Sequence, residues 1–256
     1  MGVSIVMTYW NRKKQLSNTL HSIRQYGHDV EIIVVDDAST DGEDIHCFED
    51  ANTHVITLKD KTWINPCIGF NSGFKYATGD IIIIQNAECL HVGDIVSHAL
   101  SHVSEGIYLS YSALAINGQT TKRINDGENV VTVITPFMHN KMTDTWDGNG
   151  WYNHPVYRNE AYHFCCAIMR SDLYDLGGFD ERYADGLGFD DNELLTRIIK
   201  KRMTIRMIEK PFVVHQDHPK FQPGDVSSLM AINALKLEKT KKRKEYDVKS
   251  FNSIYK

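Results

Sequence analysis

Glu31-Ile32-Ile33-Val34-Val35-Asp36-Asp37-Ala38-Ser39-Thr40-Asp41-Gly42 is the stretch on which the fold turns: a β-branched apolar run halted by two carboxylates and a polar turn. Apolar at consecutive positions rather than alternate ones, the run reads as a parallel strand buried on both faces. Val3 to Met7 has the same character, and Leu16, Leu20 and Ile23 between the two are spaced for one helical face. The opening unit is therefore strand, helix, strand, with a right-handed crossover.

Further along, His54 to Leu58 reads as a third strand, and Pro66 to Ala77 as a helix burying Ile68, Phe70, Phe74 and Ala77. Gly79-Asp80 then turns the chain into Ile81 to Ile84, four consecutive isoleucines that demand a central strand. A helix over Asp94 to Val103 and a strand over Gly106 to Ile116 follow, and Asn117-Gly118 predicts a tight hairpin. From His139 to Tyr162 the chain has no period, which predicts a long functional loop, and its Trp146 and Trp151 argue against disorder. His163 to Met169 is a strand, Ser171-Asp172 caps a short helix, and Gly177-Gly178 ends it. The helix Asp190 to Lys200 carries Leu194, Leu195, Ile198 and Ile199 as its apolar face behind an acidic start. The class is α/β, a Rossmann-like, mostly parallel sheet flanked by helices.

With 256 residues, 42% of them apolar, the chain can bury a large core, and no long uncharged apolar run marks a membrane span. The amino terminus is strand-like rather than a secretory signal, and five cysteines without C-x-x-C spacing indicate neither a disulfide framework nor a zinc knuckle. These features predict a cytoplasmic protein. A net charge of −5 disfavours nucleic acid as partner. The lysine-rich tail Lys236 to Lys249 reads as a solvated helical face, with contact to a phosphate-bearing acceptor or a membrane surface as the minority reading.

Ligands of open parallel sheets bind outside the carboxyl ends of the strands. Four clusters fall there: Thr8-Tyr9-Trp10-Asn11-Arg12, Asp36-Asp37-Ala38-Ser39, Gln85-Asn86-Ala87-Glu88 and His215-Gln216-Asp217-His218. An aromatic pair can stack on a nucleobase, and Asp36 or Asp37 can accept the imide N–H of uracil or thymine; the bland alternative is an Asx-type turn. Glu88 and Asn86, with His215 or His218, offer oxygen and nitrogen ligands for Mn²⁺ or Mg²⁺, against the alternative of ordinary strand-end histidines. An H-x-x-H pair can also chelate zinc, but no further ligand has suitable spacing. Asp190, Asp191 and Glu193 are candidates for a general base, or else simply complement a helix dipole.

Together these residues resemble the inverting family 2 glycosyltransferases of GT-A fold, from about Val3 to His218. Ser4-Ile5-Val6-Met7 with Trp10-Asn11-Arg12, and then the stretch Glu31 to Gly42, are similar to that family's opening unit. Asn71-Ser72-Gly73 followed by Ala77-Thr78-Gly79-Asp80, Gly177-Gly178-Phe179-Asp180-Glu181, and Gly188-Phe189-Asp190-Asp191 resemble its N-x-G…A-x-G-D, G-G-F-D-E and G-x-E-D segments. The resemblance implies a nucleoside diphosphate sugar donor, UDP above others, and a saccharide, lipid-linked or protein acceptor. It implies nucleotide contacts from Thr8 to Arg12, Asp36, Asp37, Asn71 and Asn86, a metal at Glu88, His215 and His218, and Asp191 or Asp190 as base. Acceptor contacts fall to Trp146, Trp151, Gly178, Phe179 and Asp180. On this basis residues 1–110 form the donor-binding half, 111–224 the acceptor-binding and catalytic half of the same domain, and 225–256 a basic helical tail. Two departures stand out: Asn86-Ala87-Glu88 replaces D-x-D, and Phe70 stands where an arginine is common. The alternatives are a nucleotidyltransferase making sugar nucleotides, disfavoured by Tyr9-Trp10-Asn11 in place of a glycine-rich loop, and a non-catalytic nucleotide or carbohydrate binder.

Overall fold

The computed structural model describes residues 1–141, 149–220 and 224–242. Among them, β1 (Val3–Tyr9), β2 (Glu31–Asp36), β3 (Thr53–Thr57), β4 (Ile81–Asn86), β5 (Cys89–Val92), β6 (Ile107–Ala115), β7 (Gly150–Asn153), β8 (Cys165–Met169) and β9 (Thr204–His215) form one sheet. Its order is β3-β2-β1-β4-β8-β6-β9-β5, with β7 on β6. β3, β2, β1 and β4 are mutually parallel, β8 runs antiparallel to both β4 and β6, and β9 is parallel to β6. The parallel half is the crossover unit expected from the apolar runs.

The isoleucines of β4 show why. All four are fully buried, with Ile81 and Ile83 facing one core and Ile82 and Ile84 the other. Leu16, Leu20 and Ile23 of α1 (Lys13–Arg24) and Ile95 and Ala99 of α3 (Ile95–His102) close the first core. The second is covered by α2 (Cys67–Tyr76), α6 (Arg170–Leu176) and α7 (Asp190–Lys200), through Phe70, Phe74, Leu173, Leu194 and Ile198. Burying each such side chain contributes about 1.5–3 kcal/mol, so the layering is set by the apolar pattern. At Gly73 α2 lies directly on the sheet: a Cβ there would collide with Val6 Cγ1 and sit 3.0 Å from Val35 Cγ2.

Several expectations are revised. Asn117-Gly118 makes no hairpin; Asn117 has φ −76°, and its side chain accepts from Thr120 N at 2.9 Å, capping α4 (Gly118–Asn125). The same asparagine that suits a turn also suits a helix start. Asp172 does not cap α6 but accepts from Gly106 N at 2.7 Å, whereas Gly177, at φ 86°, ends that helix as expected. The aperiodic segment contains β7, and Trp146 lies outside the described residues. Ile199 is 63% exposed and does not join the apolar face of α7.

A short helix, α5 (Val130–Ile134), follows α4, and α8 (Val226–Lys242) carries the basic tail as far as Lys242. Asn233 is fully buried on α8, where it donates to Tyr183 O at 3.0 Å and Gly188 O at 2.9 Å. It packs against Gly186, which has no room for a Cβ. Among the described residues no helix is long and apolar enough to cross a membrane.

Beneath α1, His91 of β5 is fully enclosed. Gln85 donates its amide to Cys89 O, so its Oε1 faces His91 Nε2 at 2.7 Å and requires the Nε2–H tautomer. A proton on Nδ1 would find no acceptor among the described residues, and burial depresses the imidazole from 6.5 to about 3. The unfolded chain therefore binds a proton that the folded chain refuses between those values, so stability falls as pH drops from about 6.5 toward 3, by about 1.4 kcal/mol per pH unit. Urea unfolding at pH 7 and pH 4.5 is expected to show a smaller acid loss in His91→Gln than in wild type; equal losses would contradict this.

Candidate active site

The strand register brings three of the four predicted clusters to one edge. Thr8 lies level with Asn86 of β4 and with Val35 of β2, and Tyr9 with Asp36. The fourth arrives because β5 and β9 pair with Cys89 opposite His215, which sets the preceding Glu88 beside the histidines. Gln216, fully buried, fixes that approach by donating its backbone and side-chain nitrogens to Glu88 O at 3.2 and 2.9 Å.

Glu88, 2% exposed, is the centre of the cluster. Its Oε2 is 2.6 Å from Arg12 Nη1, and its Oε1 is 3.1 Å from His215 Nε2 and 3.3 Å from His218 Nε2. Burial alone would raise its pKa, but the Arg12 charge and the two histidines hold the carboxyl well below its ordinary value. His218 is pushed down to about 4, chiefly by burial. Its Nδ1–H donates to Pro219 O at 2.8 Å, so the lone pair of Nε2 points at Glu88 and Arg12. An ionised carboxylate and a neutral imidazole oriented from behind form a donor set that fits Mn²⁺ or Mg²⁺. The three ligand atoms lie within 4.8 Å of one another. His215 is braced on its other sides by Tyr152 and Phe164, whose stacked rings both meet it edge-on at 5.2 and 5.5 Å.

A second cluster begins one residue earlier in the chain. His163, adjacent to Phe164 and 6% exposed, donates its backbone N–H to Asp191 Oδ1 at 2.7 Å, and its ring Nδ1 contacts the same oxygen. Its Nε2 lies 3.8 Å from Asp190 Oδ2. Asp190 is buried and accepts from Asn65 Nδ2 at 2.7 Å, while the Asp191 side chain is 25% exposed. Burial, and then the Asp191 charge, raise the Asp190 pKa. Phe70 packs edge-on against the His163 ring at 5.1 Å, and Phe179 at 4.8 Å. Glu193, by contrast, is buried and paired with Arg197, away from both clusters' ligand atoms.

Other predicted residues have structural contacts instead of open faces. Asp36 Oδ1 accepts from Ser39 N at 2.9 Å, an Asx-type turn, and Asp37 is held by Trp63 Nε1 at 2.7 Å and Lys61 Nζ at 2.5 Å. Tyr9 is 1% exposed in the core, so of the aromatic pair only Trp10 reaches the edge. Asn11, at φ 49°, ties the first strand's loop to the second's by accepting from Thr40 N at 2.8 Å. Asn71 is fully buried and brackets Phe179, accepting from its N–H and donating to its carbonyl, both at 2.8 Å. Phe179 and Asp180 are themselves buried, Asp180 being paired with Arg182; Gly178 N–H closes the end of α6 on Leu173 O at 3.0 Å. Trp151 is 1% exposed against Phe212, with its indole N–H on Met138 O at 3.0 Å. These last four contacts are internal, because glycine turns and apolar residues in that pattern build a core as readily as a binding face. Sequence reasoning missed Asn65 and His163, and it named Gln216 within a strand-end cluster without assigning it a role; for His163 the available signal was a polar residue at the mouth of an apolar strand.

Beside the Glu88 cluster a cavity of about 170 Å³ opens between Ala115, Tyr152, Phe164, His215, His218 and Lys220. A larger one, about 820 Å³, lies at the far end of β5 between Val92, Trp151 and Phe212, and none of the cluster residues borders it.

The chain belongs to glycosyltransferase-like family 2, whose model matches residues 4–220. It is 26% identical to the uncharacterized glycosyltransferase YfnE of Bacillus subtilis (strain 168), over 86% of this chain and 66% of that one. Among solved structures it is similar to S. aureus TarS 1–349 in complex with UDP-GlcNAc (TM-score 0.61, 16% identity, 92% of this chain and 66% of that one). It is also similar to GalNAc-T7 with UDP, GalNAc and Mn²⁺ (TM-score 0.65, 16% identity, 93% and 48%). The fold is thus GT-A, and the chain spans just under two thirds of the length of YfnE.

Removing one partner of a buried ion pair strands the other. Arg12→Met is therefore expected to lower stability at pH 7 by about 3 kcal/mol, and Arg12→Met with Glu88→Gln to lose less than that. Chemical denaturation in a double-mutant cycle measures the coupling; additive losses would contradict the pairing.

Proposed function

We propose that the chain is a metal-dependent, inverting glycosyltransferase that moves a sugar from a nucleoside diphosphate sugar, a UDP-sugar first, to an acceptor hydroxyl. The observation that carries this reading is the His163-Phe164 dipeptide: one residue lies against Asp191 and the next against His215. A carboxylate able to take a proton and a cluster able to neutralise a leaving diphosphate are thereby held by neighbouring residues, as a single displacement needs. UDP in the structural neighbours TarS and GalNAc-T7 supports the choice of donor.

In this reading residues 1–110 hold the donor. Trp10 and Thr8 border the nucleobase, and Asp36 is the carboxylate left to face it, since Asp37 is engaged by Trp63 and Lys61. Arg12 turns from Glu88 toward the diphosphate, and Glu88, His215 and His218 hold a divalent cation. When bound, that ion supplies positive charge to the departing phosphate oxygens. On the opposite face, within residues 111–224, Asp191 takes the proton of a saccharide, lipid-linked or protein hydroxyl. The acceptor oxygen forms a bond to the anomeric carbon while the bond to the β-phosphate oxygen breaks, its electron pair leaving with the nucleoside diphosphate. Asp190 is too enclosed to meet an acceptor and supports its neighbour. The tail, residues 225–256, stands outside the chemistry; within its described part, α8 meets the loop before Asp190 through Asn233 and Gly188.

Asp191→Asn is expected to keep UDP binding and lose turnover by about 10²–10⁴-fold; wild-type turnover in this variant would remove the base assignment. Glu88→Gln should abolish the extra thermal stabilisation that Mn²⁺ adds to UDP, and an undiminished shift would remove the metal assignment. The product anomer, read by NMR, tests inversion.

A further inference from the structure

We propose that His163 is a positioning residue for the proton-accepting carboxylate: it grips Asp191 by one oxygen, separates it from Asp190, and leaves the second oxygen for the acceptor. The inference rests on the reading of Asp191 as base. The backbone N–H of His163 donates to Oδ1 of Asp191 and the ring Nδ1 lies in ion-pair contact with the same oxygen, without hydrogen-bond geometry, and no hydrogen bond is made to Oδ2 among the described residues. Two contacts on one oxygen fix the rotation of the carboxylate as a single contact could not.

The imidazole is itself immobile, clamped edge-on between Phe70 and Phe179. Its other nitrogen faces Asp190, which Asn65 anchors from the start of the α2 segment. The ring therefore lies between two carboxylates, its Nδ1 on Asp191 Oδ1 and its Nε2 3.8 Å from Asp190 Oδ2. Burial lowers the His163 pKa, but Asp191 and Asp190 outweigh it and the pKa is raised. Other titratable groups facing the cluster are held neutral: burial pushes up the thiol of Cys67 beside Asp190, and the hydroxyl of Tyr108 and the thiol of Cys166 near Asp191. Tyr162 is likewise raised by burial.

The test uses the full chain with a UDP-sugar turnover assay across pH. His163→Leu removes grip and charge; His163→Asn keeps a donor near the Nδ1 position and removes only charge. For His163→Leu, kcat should fall roughly 10- to 100-fold with UDP affinity and donor KM unchanged. For His163→Asn most of kcat should return. Histidine-selective NMR of the wild-type protein is independent of variant folding, and should show one imidazole titrating above 6.5 that drops in Asp191→Asn. Wild-type kcat in His163→Leu, or a His163 titration at or below the ordinary value, would overturn the proposal. If instead Asp191→Asn turned over normally, the base assignment itself would fall.

Discussion

A single buried carboxylate organises the candidate site at the sheet edge. Glu88 has almost no contact with water, so its charge is tolerable only while Arg12, His215 and His218 surround it. Those partners come from the end of β1 and the end of β9, regions some two hundred residues apart. Satisfying one anion therefore requires both halves of the sheet to meet in register, and Gln216 gripping the Glu88 backbone makes the meeting rigid. Fold and site are coupled here: the arrangement that removes the electrostatic penalty on Glu88 is the arrangement that places Arg12, His215 and His218 together at the sheet edge.

The layout of the sheet was largely readable from residue type. Uniformly apolar β-branched runs have no other stable place than strands covered on both sides, and Ile81 to Ile84 occupy the centre accordingly. The convergence of Arg12, Glu88, His215 and His218 was also readable, because ligand sites of parallel sheets collect at carboxyl ends. What could not be read was the direction of individual side chains. Tyr9 and Trp10 are adjacent in sequence, yet Tyr9 closes the buried strand β1 while Trp10 lies past its end and reaches the edge. Asn71, Phe179 and Trp151 were equally compatible with a core or a surface, and only tertiary contacts decide between them. Asn117 offered two local uses, turn and helix cap, between which a two-residue pattern cannot choose.

The departure at Phe70 has a physical counterpart in the folded protein. An aromatic ring at that position packs against the imidazole of His163, and it is the histidine that lies against the acidic pair, with its pKa raised by Asp191 and Asp190 against the effect of burial. Residues invisible to motif matching, Asn65 and His163, thus hold the two carboxylates that motif matching found. Both are buried polar groups whose partners lie far along the chain, which is why spacing alone did not expose them.

The seating of Asn233 on Gly186 reaches further than packing. By hydrogen-bonding to Tyr183 and Gly188, α8 braces the loop that delivers Asp190 and Asp191, and the brace comes from the chain's far end. A helix far from the acidic pair in sequence is therefore part of the frame that fixes where that pair stands.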